Sequence, residues 1–242
     1  MIIRADLHLH SCLSPCGNLE MSPQAIVKQA VVRGLNLIAL TDHNTALNCP
    51  AFAKLCQEQH IHAFYGCEIT TREEVHCLCL FDSVHTALEL SAHIAQHMPH
   101  RKNSPERFGD QVVVDATENI LTQYPFYLGL ATELSLTETA RWVKAHQGLC
   151  IPAHIDRRLY SVMTQLGFLP DNEAFDAVEI HKSTIMRKAA FPDTKTYTPI
   201  SNSDAHYLAD IGFVYTEYDV PEISIENIRA ALHEKRVTIK TR

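Results

Sequence analysis

The chain has 242 residues, 46% of them hydrophobic, which suffices for one full core, so we expect a single domain over residues 1–242. Lysine and arginine number 21 against 28 acidic residues, and because a formal charge of −7 leaves no broad basic face, we expect no duplex nucleic acid as a partner. No apolar run approaches the roughly 20 residues that span a bilayer, so we expect no membrane contact and a cytoplasmic location.

Strand-like apolar runs alternate with helical patterns in the first part of the chain. MIIRADLHLH is the first strand, and the helix after it has Ser22 as N-cap, Pro23 at its first position and Gly34 at its end. The second strand is LNLIALTDHN, and a second helix is predicted around residues 46–59. The runs IHAFYGCEITT and EVHCLCLF are predicted to pair as a hairpin, followed by the helix SVHTALELSAHIAQ.

Residues 97–134 break this alternation, because they are rich in turn-forming residues and lack a period, and we interpret them as an irregular insertion. The alternation resumes at a helix whose first turn carries the capping-box pair Ser135 and Glu138. The remaining strands are LCIPAHID, FDAVEIHKS, YTPISNSDAH and, after the helix SIENIRAALHEK, RVTIK. Repeated strand and helix units of this kind predict an α/β fold.

Histidines and carboxylates fall at the C-terminal ends of the apolar runs: His8, His10, His43, Glu68, His154, Asp204 and His206. In a parallel βα barrel those ends converge on one face, where active sites lie. Residues two apart on a strand point the same way, so His8 shares a side with His10, and Asp204 with His206. The sequence therefore predicts one ligand cluster gathered from distant parts of the chain.

Six segments in order, DLHLHS, LTDHN, GCEITT, EVHCLCL, PAHID and SNSDAH, resemble the motifs of the PHP family, named for polymerase and histidinol phosphatase. The resemblance implies a distorted (β/α)7-type barrel, with the metal site at the C-terminal ends of the strands. It implies one PHP domain over residues 1–242, with the insertion at about 97–134. It also implies two or three divalent metal ions, of zinc, manganese or iron.

The same resemblance implies the ligands of each ion. The first ion takes His8, His10, Glu68 and Asp204, and the second takes Glu68, His76 and His154. The third is held by His43 and His206, and relatives complete it with Asp or His from the loop after the first strand. This chain has SPCG there, so either Cys16 is the remaining ligand or the third site is open. A thiolate is a soft ligand that favours zinc over manganese.

These ions make hydrolysis of a phosphoric ester the expected chemistry. Divalent ions polarise phosphoryl oxygens and lower the pKa of a bridging water, so we expect a metal-bridging hydroxide to attack phosphorus. Asp204 and His206 are the candidate catalytic residues. Arg157 follows the ligand His154, and Lys182 ends the next strand, so both are candidates for binding the phosphate.

Two further carboxylates sit beside ligands in the sequence. Asp6 precedes His8, and Asp42 precedes His43. We expect both to orient imidazoles by accepting their N–H bonds.

The expected substrate is a small, anionic, phosphorylated metabolite or a nucleotide. One alternative is a metal-dependent amide or lactone hydrolase, since those enzymes also begin with HxH after the first strand. They usually close with a lone Asp and use a ligand lysine, whereas this chain offers Glu68, a TDH segment and the pair Asp204 and His206. The other alternative is a non-catalytic metal-binding PHP domain, against which the full ligand set argues.

Overall fold

The computed structural model describes residues 1–242 and contains eleven strands and eight α-helices. The strands are Ile2–Leu9 (β1), Leu37–Leu40 (β2), His62–Thr70 (β3), His76–Phe81 (β4), Val112–Val114 (β5), Ile120–Gln123 (β6), Leu149–Pro152 (β7), Val178–Glu179 (β8), Pro199–Ile200 (β9), Val214–Asp219 (β10) and Val237–Thr241 (β11). The helices are Pro23–Arg33 (α1), Cys49–Glu58 (α2), Val84–Gln96 (α3), Pro105–Phe108 (α4), Leu136–Ala145 (α5), Val162–Leu166 (α6), Lys182–Met186 (α7) and Ile225–His233 (α8). None of them is long and apolar enough to cross a membrane.

Seven strands form one mixed sheet in the order β11-β10-β1-β2-β3-β4-β7. The strands β1, β2 and β3 are parallel, whereas β4 pairs antiparallel with β3, and β10 pairs antiparallel with β1. The short parallel pair β8-β9 lies between the two edges of this sheet, with β8 next to β7 and β9 next to β11. The sheet therefore curls toward a barrel, which confirms the predicted α/β class, and the antiparallel strands are the source of its distortion.

Two hydrophobic clusters pack on the sheet. The larger, of 41 buried residues, includes the apolar faces of α1, α2, α3 and α5, and the smaller, of 19, combines strand residues with α8. Phe64 on β3 and Leu78 on β4 belong to the smaller cluster. Because side chains alternate along a strand, Glu68 and His76 extend the same face at the end of the β3-β4 hairpin.

Local sequence signals account for several helix ends. Ser22 caps α1, and Gly34 ends it in the left-handed conformation, as predicted. The Ser135–Glu138 capping box is also present at the start of α5. The second helix begins later than predicted, at Cys49, because the preceding turn is fixed by a hydrogen bond from the Ala46 N–H to a serine of α3.

The insertion has more order than its sequence predicts. It contains α4 and the hairpin β5-β6, in which Val112–Val114 is buried and Ile120–Gln123 is exposed. Val112 N donates to Cys12 O, and Val114 N donates to the Asn48 side chain, so β5 is attached to the loop that follows β1.

Gly66 on β3 is required by its close contact with β4, since a Cβ atom there would collide with the backbone oxygen of Cys79. We expect Gly66→Ala to lower the free energy of unfolding by about 1–3 kcal/mol, the usual cost of overpacking. It should also lower the bound metal, because Glu68 lies two residues further along the strand. Urea denaturation and elemental analysis measure the two effects.

Gly167→Ala is the control for this substitution. A Cβ atom at Gly167 meets nothing within 4 Å, and only its φ of 78° penalises a side chain. Unchanged metal content in both variants would contradict the assigned role of Gly66.

Candidate metal centre

Glu68 lies at the centre of the candidate site. It is 1% exposed, and five imidazole nitrogens approach its carboxylate oxygens to 3.0–3.4 Å. They belong to His8 (3.4 Å), His10 (3.3 Å), His43 (3.2 Å), His76 (3.0 Å) and His154 (3.1 Å). The structure thus brings together side chains from β1, β3, β4 and the loops after β1, β2 and β7.

Asp204 is the second carboxylate of the site. Its Oδ1 lies 3.4 Å from His8 Nε2 and 3.5 Å from His10 Nε2. The backbone oxygen of Asp204 lies 3.0 Å from His206 Nδ1, and His206 Nε2 lies 3.0 Å from Cys16 Sγ. Asp204 therefore joins the His8 and His10 pair to the side of the site that holds Cys16.

These separations suit a metal centre. Ligand atoms that each lie about 2.0–2.1 Å from a tetrahedral ion are roughly 3.4 Å apart, close to the distances around Glu68. His43 Nδ1 and His76 Nδ1 lie 3.2 and 3.0 Å from oxygens of Glu68 but form no hydrogen bond with them, and a buried nitrogen without a hydrogen bond is costly unless another group binds it. The donors form three groups: His10, Cys16, His43 and His206; His8, His10 and Asp204; and His43, Glu68 and His76. These residues fit two or three divalent ions.

Burial and charge set the protonation of these ligands. Burial raises the pKa of Glu68, but the surrounding histidines outweigh it and hold that pKa well below its usual value. Burial lowers the pKa of His43 and His76, and it lowers the pKa of His206 to about 4, so these three imidazoles favour the neutral form that binds metal. Burial also lowers the pKa of His8, but the charges of Glu179, Glu68 and Asp204 outweigh it and raise that pKa, so His8 carries the positive charge that faces Glu68.

Two of the candidate ligands occupy unfavourable backbone conformations. His154 has a φ of 30° and Asp204 a φ of 45°, in the left-handed region that non-glycine residues rarely adopt. The His154 N–H donates to Glu179 Oε2 (3.0 Å), and the neighbouring Ser203 N–H donates to Asp6 Oδ1 (3.0 Å). Buried carboxylates thus hold both turns in place.

Asp6 was expected to orient an imidazole, but the structure gives it a different role. Its carboxylate accepts the backbone N–H groups of Ser203 and Gly212 and accepts no imidazole N–H. Burial raises the pKa of Asp6 to about 6. Asp6 therefore positions the Asp204 turn rather than a histidine ring, because its strand faces the backbone of that turn.

Asp42 also differs from expectation, since a serine separates it from the ring that it orients. The Ser14 hydroxyl donates to Asp42 Oδ1 (2.8 Å), which leaves Ser14 Oγ to accept from His10 Nδ1 (2.9 Å). Asp42 additionally accepts from the N–H and hydroxyl of Ser11. His10 consequently presents Nε2 to the site.

Glu179 on β8 is a functional candidate that sequence reasoning missed. It is 1% exposed, and its carboxylate accepts from His8 Nδ1 (3.0 Å), His154 N (3.0 Å) and Asn202 Nδ2 (2.8 Å). Asn202 in turn accepts from the Leu7 N–H. Glu179 fixes the His8 tautomer that presents Nε2 and connects three ligand-bearing segments. The one acidic residue inside the apolar run AVEI was the available signal.

The site opens into a cavity of about 780 Å³. Arg157 and Lys182, the two candidates for binding phosphate, both line it. Arg157 Nη1 lies 3.4 Å from Asp204 Oδ2, and Lys182 Nζ pairs with Asp210 at 3.2 Å. The insertion contributes further wall residues, Arg107, Phe108, Gly109, Tyr127 and Gly129.

Comparison with known proteins identifies related chains. The family model for the PHP domain matches residues 6–178, and the model described as PHP-associated matches residues 186–237. A two-domain protein from Bacteroides vulgatus that contains a predicted PHP-like metal-dependent phosphoesterase matches 100% of this chain and 65% of its own, at 15% identity and a TM-score of 0.55.

Higher TM-scores come from Endonuclease Q. The lesion-specific endonuclease PfuEndoQ of Pyrococcus furiosus matches 99% of this chain with 20% identity and a TM-score of 0.68. Endonuclease Q complexed with a 27-mer duplex substrate, with an abasic lesion at the active site, matches 97% with 21% identity and a TM-score of 0.68. The present chain spans 58% and 57% of the length of those two chains.

These structures correct one expectation. The exclusion of duplex nucleic acid on the basis of net charge is wrong, because a protein of this fold holds a duplex at its active site. A formal charge of −7 is a sum over the whole chain, whereas Arg107, Arg157 and Lys182 are concentrated on the wall of one cavity.

We expect Glu179→Gln to weaken metal binding by roughly 10–100-fold, the usual effect of losing a partner of a ligand histidine. The amide NH₂ cannot accept a hydrogen bond, so at least one of the donors from His8, His154 and Asn202 loses its acceptor. Titration of the metal-free protein with Zn²⁺ against a competing chelator measures the affinity.

Asp176→Asn serves as the control, since Asp176 is a partly buried carboxylate that pairs with Arg229 away from the site. It should lower stability without changing zinc affinity. Equal zinc affinities in Glu179→Gln and the wild type would refute the role of Glu179.

Proposed function

Because this chain belongs to the PHP domain family, we propose that it is a metal-dependent phosphoester hydrolase. The observation that carries the proposal is the ring of five imidazoles around Glu68, at the base of a cavity with Arg157 and Lys182 on its wall. The ligands proposed for the ions are His8, His10, Cys16, His43, Glu68, His76, His154, Asp204 and His206. When bound, such ions supply positive charge for phosphoryl oxygens and lower the pKa of water.

The residues of the chain have separate tasks in this proposal. Arg157 binds two phosphoryl oxygens through its planar guanidinium, and Lys182 adds a point charge beside them. Asp204 contacts Arg157, and both Asp204 and His206 line the cavity, so they face the reacting phosphate. Glu179 and Asp6 keep the ligand-bearing turns rigid, which preserves the separation of the charges during the reaction.

For the substrate, we propose a phosphate ester carried by a nucleotide or a nucleic acid. Four aromatic side chains line the cavity beside the cations: Phe108, Tyr127, Tyr160 and Tyr207. Tyr207 is 58% exposed, so its ring is free to contact a ligand. Aromatic rings stack on bases, and cations bind the phosphate backbone, which is the combination found in sites for nucleic acid. The fold shared with Endonuclease Q supports the same class of substrate.

A substrate panel tests this proposal. The metal-loaded protein is incubated with a nucleoside monophosphate, p-nitrophenyl phosphate, a phosphodiester, a lactone, and a 27-mer duplex with or without an abasic site. We expect hydrolysis of phosphoesters, with preference for those that carry a base. Hydrolysis of the lactone alone would support an amide or lactone hydrolase, and full metal content without turnover would support a non-catalytic domain.

We expect the double variant His8→Ala/His10→Ala to lose bound metal and all activity in that panel, because it removes two imidazoles that contact both Glu68 and Asp204. Elemental analysis measures the metal. His60→Ala/His62→Ala is the matched control, since these residues repeat the HxH spacing at exposed positions. Full metal content in the first variant would remove the basis for the metal centre.

We expect Arg157→Ala to lower kcat/KM for the preferred phosphoester by roughly 10–100-fold, which corresponds to about 1.5–3 kcal/mol for a hydrogen bond to a charged group. The bound metal should not change. Arg158→Ala is the control, because Arg158 is exposed and lies outside the cavity wall. Equal rates in both variants would show that Arg157 does not bind the phosphate.

A further inference from the structure

The three donor groups of the site differ in chemistry. Two of them contain only imidazole nitrogens and a carboxylate oxygen. The third adds the sulfur of Cys16 to nitrogens of His10, His43 and His206, all within 4.8 Å of one another. We call Cys16, His43 and His206 the thiolate subsite, because the one free nitrogen of His10 also belongs to the group of His8 and Asp204.

The loop that carries Cys16 is built to hold its sulfur at this place. Gly17 N donates to Ser14 O (2.9 Å), and Asn18 N donates to the backbone oxygen of His206 (3.0 Å). A Cβ atom at Gly17 would collide with Ser11 O, so only glycine permits this tight turn. The loop is thus tied directly to His206, whose Nε2 lies 3.0 Å from Cys16 Sγ.

A second observation points to a bound ion. His43 is 8% exposed, and its Nδ1 is buried and forms no hydrogen bond, although Glu68 Oε2 lies 3.2 Å away. Cys12, four residues before Cys16, shows the opposite behaviour, because its sulfur lies 3.7 Å from Val112 O and packs under the insertion. The two cysteines of the loop therefore have different environments, and only Cys16 faces other ligands.

We propose that the thiolate subsite selects zinc, while the two carboxylate-containing groups accept harder ions such as manganese or iron, so that the chain holds a mixed-metal centre. Sulfur is a soft donor that binds zinc strongly and manganese weakly, whereas carboxylate and imidazole accept all three metals. The proposal rests on the metal centre of the proposed function, but it concerns metal identity and is tested without turnover.

Cobalt substitution provides the test, because a thiolate bound to Co²⁺ gives a near-ultraviolet charge-transfer band that nitrogen and oxygen ligands do not give. The metal-free protein is loaded anaerobically with Co²⁺, and the band is compared among wild type, Cys16→Ser, Cys16→Asp and Cys12→Ser. We expect the band in wild type and Cys12→Ser, and its loss in both Cys16 variants. Circular dichroism verifies that each variant is folded.

Competition between metals gives the second readout. When the zinc-loaded protein is dialysed against a large excess of Mn²⁺, the wild type should retain one zinc ion per chain that Mn²⁺ does not displace. In Cys16→Asp, the preference of the thiolate subsite for zinc over manganese should fall. The fall should exceed the roughly 10–100-fold loss of affinity that follows from removing a hydrogen-bond partner of a ligand.

The outcomes separate this proposal from the proposed function. Cobalt bound in full amount without the charge-transfer band would overturn the thiolate subsite and leave the phosphoesterase proposal intact. Absence of any bound cobalt would overturn both. A zinc preference unchanged in Cys16→Asp would show that selectivity does not come from the sulfur.

Discussion

The burial of one carboxylate among five imidazoles governs the organisation of this molecule. An ionised carboxylate taken out of water is costly unless positive or hydrogen-bonding partners replace the solvent. Glu68 has its partners supplied from β1, β4 and the loops after β2 and β7, which no single segment of chain can provide. The curl of the sheet and the close β3-β4 contact at Gly66 both serve to bring these groups within reach.

The remaining carboxylates form a second layer with a different purpose. Glu68 and Asp204 face imidazole nitrogens, whereas Asp6 and Glu179 accept backbone N–H groups from turns that bear ligands. Because an ionised carboxylate only accepts hydrogen bonds, each of them gathers several donors and fixes their relative positions. Ligands in strained conformations at His154 and Asp204 persist because this second layer holds them.

The sequence predicted the parts of the structure that depend on local rules. Helix caps follow from side chains a few residues apart, and the gathering of histidines and carboxylates at strand ends follows from strand periodicity together with the PHP resemblance. The partners of Asp6 and Asp42 depended on the paths of loops, so a backbone turn and Ser14 took the places expected for imidazoles. Glu179 was not predicted, because the sequence does not reveal which face of a two-residue strand points to the site. The argument from net charge failed because the total charge of the chain does not show where its charged residues lie.

The position of β1 inside the sheet affects how the chain folds during its synthesis. Ala5 pairs with Leu37 on one side and with Thr216 on the other. The hydrogen bonds on the second side of this strand therefore form only after β10 has been synthesised. During synthesis, an unpaired strand edge that carries His8 and His10 is therefore present until β10 leaves the ribosome. Such long-range pairing slows folding and leaves a strand edge of the nascent chain open to aggregation.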